Sequence, residues 1–215
     1  MVTLLAAAPS MFEKVHSMWP EISLFIATCV VMVVGLSPNL RVRKLCAPIA
    51  ALGLGVAGVF GAMTPEGHGL LPGLLPYAKV LIASVGLLLL FLADGVVDRG
   101  EEHLIATGRV AFNALRTNRA EFYAFFLFSL TGVMLCASAD DLIWLFLALE
   151  LTSLPTYIMV TISQTGKASA KSQEAGVKYF FLGALGAATF LYGFALLYGG
   201  TGTTSLTGMK QVFLH

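Results

Sequence analysis

The sequence predicts an all-α, polytopic membrane protein with about six transmembrane helices. Three observations carry that prediction. Hydrophobic residues make up 57% of the 215 and charged residues only 12%, with a mean hydropathy of +0.84; soluble domains carry roughly 25% charge. The apolar residues fall into six runs, each close to the ~20 residues that a spanning helix requires. Lysine and arginine, finally, collect in every second connection.

The chain opens on "MVTLLAAAPS". No basic residue precedes its apolar part, which is also too short for a signal peptide, so it is expected to be a hydrophobic N-terminal tail. The first apolar run covers 20–36, the second 45–63 and the third 77–97. Residues 98–120 form the one long connection, where Leu104, Ile105, Phe112 and Leu115 either line one side of a short surface helix or belong to a solvated loop. The fourth run covers 122–138, the fifth 142–162 and the sixth 175–198. Six helices use most of the chain and leave no room for a soluble domain.

Orientation follows from the basic residues, because loops kept on the cytoplasmic side gather positive charge. Arg41, Arg43 and Lys44 follow the first run; Arg99, Arg109, Arg116 and Arg119 follow the third; Lys167 and Lys171 follow the fifth. These are nine of the 13 basic residues. Lys14, Lys79 and Lys210 fall on the opposite side, which places both chain ends outside. The net charge of +1 gives no bias towards nucleic acid or any charged partner, and the lipid bilayer is the expected surrounding.

Several patterns are structural rather than chemical. Cys29, Cys46 and Cys136 lie far apart, with no ligand spacing, and read as small buried hydrophobes; the four histidines are scattered, so no metal site is expected. "GLGVAG", residues 53–58, matches the letters of a dinucleotide fingerprint. That fingerprint needs a preceding strand and a helix start open to water, and neither exists inside an apolar run. Gly53, Ala57 and Gly61 instead form a small-residue face for close helix packing, and Gly183 with Ala187 form another.

Chemistry is sought among charges inside the membrane, since a charge at the bilayer centre costs about 2.5 to 3.5 kcal/mol. Glu21, Asp94, Glu121, Asp140, Asp141 and Glu174 fall near run ends, where an interfacial role suffices. Glu150 lies eight residues inside the fifth run, about 12 Å from its start. Burial and a nearby cation act on a carboxylate in opposite directions, a combination that suits a proton relay. Pro155 removes a backbone donor opposite the Leu151 carbonyl and loosens the helix, and the hydroxyls of Thr152 and Ser153 can hold water there. The alternative is a carboxylate hydrogen-bonded to a neighbouring helix as interhelical glue. Lys178, at the start of the sixth run, is the candidate partner. It is also four residues beyond Glu174, a common surface pair, and can snorkel to the interface. Helix rise alone separates Glu150 and Lys178, so direct contact is not expected and intervening water would carry a proton.

The stretch "AEFYAFFLFSLTGVMLCASADDLIWLFLALELTSLPTYIMV" followed by "EAGVKYFFLGALGAATFLYGFALLYGGTGTTSL" resembles the subunit N family of antiporter-like membrane subunits of respiratory NADH:quinone oxidoreductase, complex I. "LELTSLP", "EAGVKYF", "LGAL" and "LLYGGTGTT" carry the resemblance in order and at the right separation, and "WPEISLF" resembles the family's start more weakly. The resemblance implies a membrane-arm subunit that moves protons while the complex passes electrons from NADH to quinone. It would be part of a translocase, would bind no cofactor itself, and would sit beside other complex I membrane-arm subunits in a bacterial plasma membrane. The family's fifth-helix glutamate falls on Glu150 and its sixth-helix lysine on Lys178, a proton-pathway carboxylate and a lysine that tunes it and helps carry the proton.

Members of the family hold two inverted repeats. The resemblance divides this chain into 1–119, three N-terminal helices with the long loop, and 120–215, the start of the first repeat. The loop at 98–120 is longer than is usual in the family. The family's central lysine lies on a seventh helix that this chain does not reach, and Lys210 is not that residue. A complete proton path inside these residues alone is therefore not expected. The alternatives are a subunit of a related multisubunit cation/proton antiporter, or a truncated non-pumping membrane scaffold in which Glu150 is merely structural.

Overall fold

The computed structural model describes residues 15–64, 72–93, 107, 119–163 and 169–214. These form a helical bundle with one isolated β-bridge and no strand among the described residues. The helices are α1 (Trp19–Gly35), α2 (Cys46–Ala62), α3 (Leu75–Ala93), α4 (Arg119–Ala137), α5 (Leu142–Ile162), α6 (Ser169–Thr201) and α7 (Leu206–Leu214). A single turn, Leu40–Arg43, leads into α2 and gives a continuous span from Arg41 to Ala62. Five helices are long and apolar enough to cross a membrane, and α1 is a shorter apolar helix of 17 residues. The protein is a multi-pass membrane protein.

The helices occupy the predicted runs, with two differences. α3 is described only to Ala93, so the end of the third run lies outside the described residues, as do the N-terminal tail and all but Thr107 of the 98–118 connection. α6 is 33 residues long and starts six residues before its apolar run, because Ala170, Lys171, Gln173 and Glu174 are good helix formers. Hydropathy marks where lipid lies along a helix, while propensity carries the helix beyond it.

Small residues set the spacing of the bundle. A Cβ at Gly53 would lie 2.5 Å from the Ala27 Cβ of α1, and one at Gly58 would lie 3.3 Å from the Ala83 Cβ of α3. Thus "GLGVAG" is a packing face, with Ala57 fully buried beside it. The core joins Leu24, Val31, Leu54, Ala57, Tyr123, Leu127 and Met134, from α1, α2 and α4. α4 therefore lies against the N-terminal helices on one side and α5 on the other.

One cysteine assignment changes, and two charges are more buried than position alone implies. Glu21, near the start of α1, is buried, and Arg43, in the connection that follows α1, is 1% exposed. Cys29 is exposed on the bundle surface, whereas Cys46 is buried and Cys136 is partly buried; no disulfide joins the three.

Candidate proton-handling site

α5 begins on Asp141. The Asp141 carboxylate accepts from the backbone N–H groups of Ile143 (2.8 Å) and Trp144 (3.4 Å), satisfying donors that no earlier turn can reach. Its other oxygen accepts from the Thr204 hydroxyl at 2.5 Å. Backbone bonds from Leu142 to Thr204 and from Leu206 to Asp140, both 2.9 Å, complete a two-loop clamp. Gly202 takes the left-handed conformation (φ 69°) that the "GGTGTTSL" turn requires. The Asp141 side chain thus has definite structural work at this end, to which Asp140 lends its backbone carbonyl.

Pro155 does not break α5, which continues to Ile162, and its ring is fully buried. The helix is supported there by α4. A Cβ at Gly132 would lie 2.5 Å from the Thr152 nitrogen, so the two backbones meet directly. Ser129 donates its hydroxyl to the Thr152 carbonyl at 3.0 Å. The Thr152 and Ser153 hydroxyls donate to Ala148 and Leu149 within their own helix, at 2.9 and 2.8 Å. Their protons are committed to backbone carbonyls; only their acceptor lone pairs face anything else.

The opposite face of α5 packs on α6. Tyr157 meets Tyr179 and Phe180 edge-on, at ring separations of 4.8 and 5.8 Å, and a Cβ at Gly183 would collide with its hydroxyl. Lower down, Gly176 packs on Thr161, and the Ser172 hydroxyl donates to the Thr161 carbonyl at 3.0 Å. Glu150 precedes Tyr157 by seven residues and Thr161 by eleven, so all three share one helical face. Half-buried, Glu150 therefore lies on the α6 side of α5.

The same contacts fix its height. Thr161 opposes Ser172 and Gly176, and Tyr157 opposes Tyr179 and Gly183, so the antiparallel register brings Glu150 level with Ala187. Around it α6 offers Gly186, Ala187 and Ala188, and a Cβ on Gly186 would meet no atom within 4 Å. Among the described residues the Glu150 carboxylate makes no hydrogen bond or ion pair. The interhelical-glue reading thus finds no partner there.

Lys178 is nine residues from Ala187, about 14 Å along the helix axis. Its ammonium lies 2.5 Å from Glu174, with both side chains exposed. The structure makes the i, i+4 pair and does not bring Glu150 and Lys178 together. An open apolar groove of about 530 Å³ along α3, α4, α5 and α6 is lined by residues including Phe122, Phe126, Thr156, Met159 and Tyr179, and by neither Glu150 nor Lys178.

A second ionisable pair lies at the end where α1, α3 and α5 begin. Lys79 and Glu21 are joined at 2.8 Å. Sequence reading placed both at run ends on the same side without joining them. That shared side was the available signal.

Residues 139–215 match the family described as NADH:quinone oxidoreductase/Mrp antiporter, transmembrane. NADH-quinone oxidoreductase subunit N of Rhodospirillum rubrum is 34% identical over 202 residues, covering 90% of this chain and 38% of that protein. The chain belongs to the antiporter-like membrane-subunit family of NADH:quinone oxidoreductases. The Myxococcus xanthus subunit N is 50% identical over 91 residues, 42% of this chain and 17% of the relative. F(420)H(2) dehydrogenase subunit N of Methanosarcina mazei is 30% identical over 206 residues, 93% of this chain and 40% of the relative. The chain thus spans about two fifths or less of the length of these relatives.

Proposed function

We propose that the chain works as a proton-translocating membrane-arm subunit of an NADH:quinone oxidoreductase, coupling electron transfer from NADH to quinone to proton movement across the membrane. The observation that carries the proposal is Glu150. It is a half-buried carboxylate about 12 Å inside an apolar helix, without a protein partner among the described residues, and level with the small residues of α6. Such a group gains and loses a proton with little rearrangement, because no ion pair has to break. Lys178 acts at a distance: its cationic head, about 14 Å further along the register, is reached through water rather than by contact.

In this reading the chain is part of a translocase and binds no cofactor; NADH and quinone are used by other subunits of the assembly. The relative named as an F(420)H(2) dehydrogenase subunit supports that division, since a change of electron donor accompanies a similar membrane subunit. The partners are other membrane-arm subunits and the lipid bilayer, in a bacterial plasma membrane with the N-terminus outside. Residues 1–119 form a three-helix unit and 120–215 begin the proton-translocating repeat.

The matched family description also names Mrp antiporters, which favours one second reading, a subunit of a multisubunit cation/proton antiporter. Relatives named as NADH-quinone oxidoreductase subunits place the weight on the first. The test is acidification of vesicles containing the assembled complex. Glu150→Gln is expected to lower it sharply while the complex still assembles, and Lys178→Ala to lower it less. Normal acidification by Glu150→Gln removes the relay role.

A further inference from the structure

We propose that Glu21 and Lys79 form a second, buried proton-holding site that exchanges one proton with water at the end of the bundle where α1 and α3 begin. The two side chains are 3% and 0% exposed, which is extreme for charges in a chain this poor in them. The Lys79 ammonium donates to Glu21 Oε1 at 2.8 Å and to the Ser17 carbonyl at 2.6 Å. The Ser138 hydroxyl, at the end of α4, donates to the same Oε1 at 3.2 Å.

Glu21 Oε2 is also buried, and it has no hydrogen-bond partner among the described residues. An ionised carboxylate carries its charge on both oxygens and accepts at both. Here every donor converges on one oxygen, leaving the other in a site where unsolvated charge is costly. Oε2 is therefore the atom at which an added proton sits. Uptake forms an O–H bond there and turns the ion pair into a neutral acid beside an ammonium; release to water restores the pair. Lys79 keeps both of its acceptors throughout.

Among the described residues, four helices enclose the pair. α1 contributes Glu21, with Ser17 in the turn before it; α3 contributes Lys79 and α4 Ser138. From α2, Gly61 packs so closely that a Cβ would lie 3.0 Å from the Lys79 Cβ. Glu21 is the one charge acting on Lys79 among the described residues. Both residues lie within about 6 Å of the start of their helices. The site stands whether or not Glu150 relays protons.

The test is an infrared pH titration of the full chain in phospholipid vesicles, following the C=O stretch of protonated carboxylic acids. One such band is expected to grow as the pH falls, to disappear in Glu21→Gln and to persist in Glu150→Gln. Lys79→Met is expected to alter that band, since the ammonium beside the carboxylate is then gone. If Glu21→Gln does not fold, Glu21→Asp keeps the test alive by shifting the band frequency. Absence of any band sensitive to residue 21 across the pH range in which the chain stays folded overturns the proposal and leaves a fixed ion pair.

Discussion

The contact between α4 and α5 is the point at which a single atom should matter most. In Gly132→Ala the new Cβ would sit 2.5 Å from the Thr152 nitrogen and 2.8 Å from the Leu151 carbonyl carbon, where ordinary contacts begin at 3.4 Å. Both are backbone atoms, so no side chain can swing aside, and the helices must separate by about 1 Å. Overpacking of this kind costs roughly 1–3 kcal/mol. The separation also stretches the 3.0 Å bond from Ser129 to the Thr152 carbonyl, worth about 0.5–1.5 kcal/mol. Together these give a loss of about 1.5–4.5 kcal/mol. The assay is reversible unfolding of the detergent-solubilised chain, with Gly186→Ala as control because a Cβ there meets nothing within 4 Å. Alanine should be neutral or favourable at position 186, given its helix propensity. Equal stability of the two variants would refute the close-packing argument.

Asp141→Ala removes both the cap of α5 and the acceptor for Thr204, and should cost about 1–3 kcal/mol in the same assay. Thr204→Val removes only the second bond and should cost less, and a double-mutant cycle measures the share that the two residues hold in common. Glu174→Gln, at an exposed pair, should leave stability unchanged within error while freeing the Lys178 ammonium. Any activity change in that variant then reports on Lys178 itself.

The bundle was largely legible in the sequence because lipid imposes one requirement on every span, a run of apolar residues long enough to close its own hydrogen bonds. Run and helix coincide for α5, and they differ by a few residues at the ends of α1, α2 and α4. The small-residue faces were equally readable, as Gly53 against Ala27 and Gly183 against Tyr157 demonstrate. Pairings between distant segments were not. Glu21 and Lys79 are 58 positions apart, and each taken alone is an interfacial charge. Only the packing of α1 and α3 on α2 and α4 buries them together. Thr152 and Ser153 illustrate a different limit: composition shows hydroxyls, but the helix they sit in decides where their protons go. For Glu150 the depth was readable from position, while its face required the Tyr157 and Thr161 contacts with α6.

The most direct test compares Glu150→Gln with Glu150→Asp in the assembled enzyme, measuring protons moved per NADH oxidised in the same vesicles. A protonatable carboxylate at this depth is the whole of the claim, so aspartate should retain much of the ratio and glutamine should lose most of it. Equal ratios for glutamate, aspartate and glutamine would contradict the account, because the position would then matter for its shape and not for its proton.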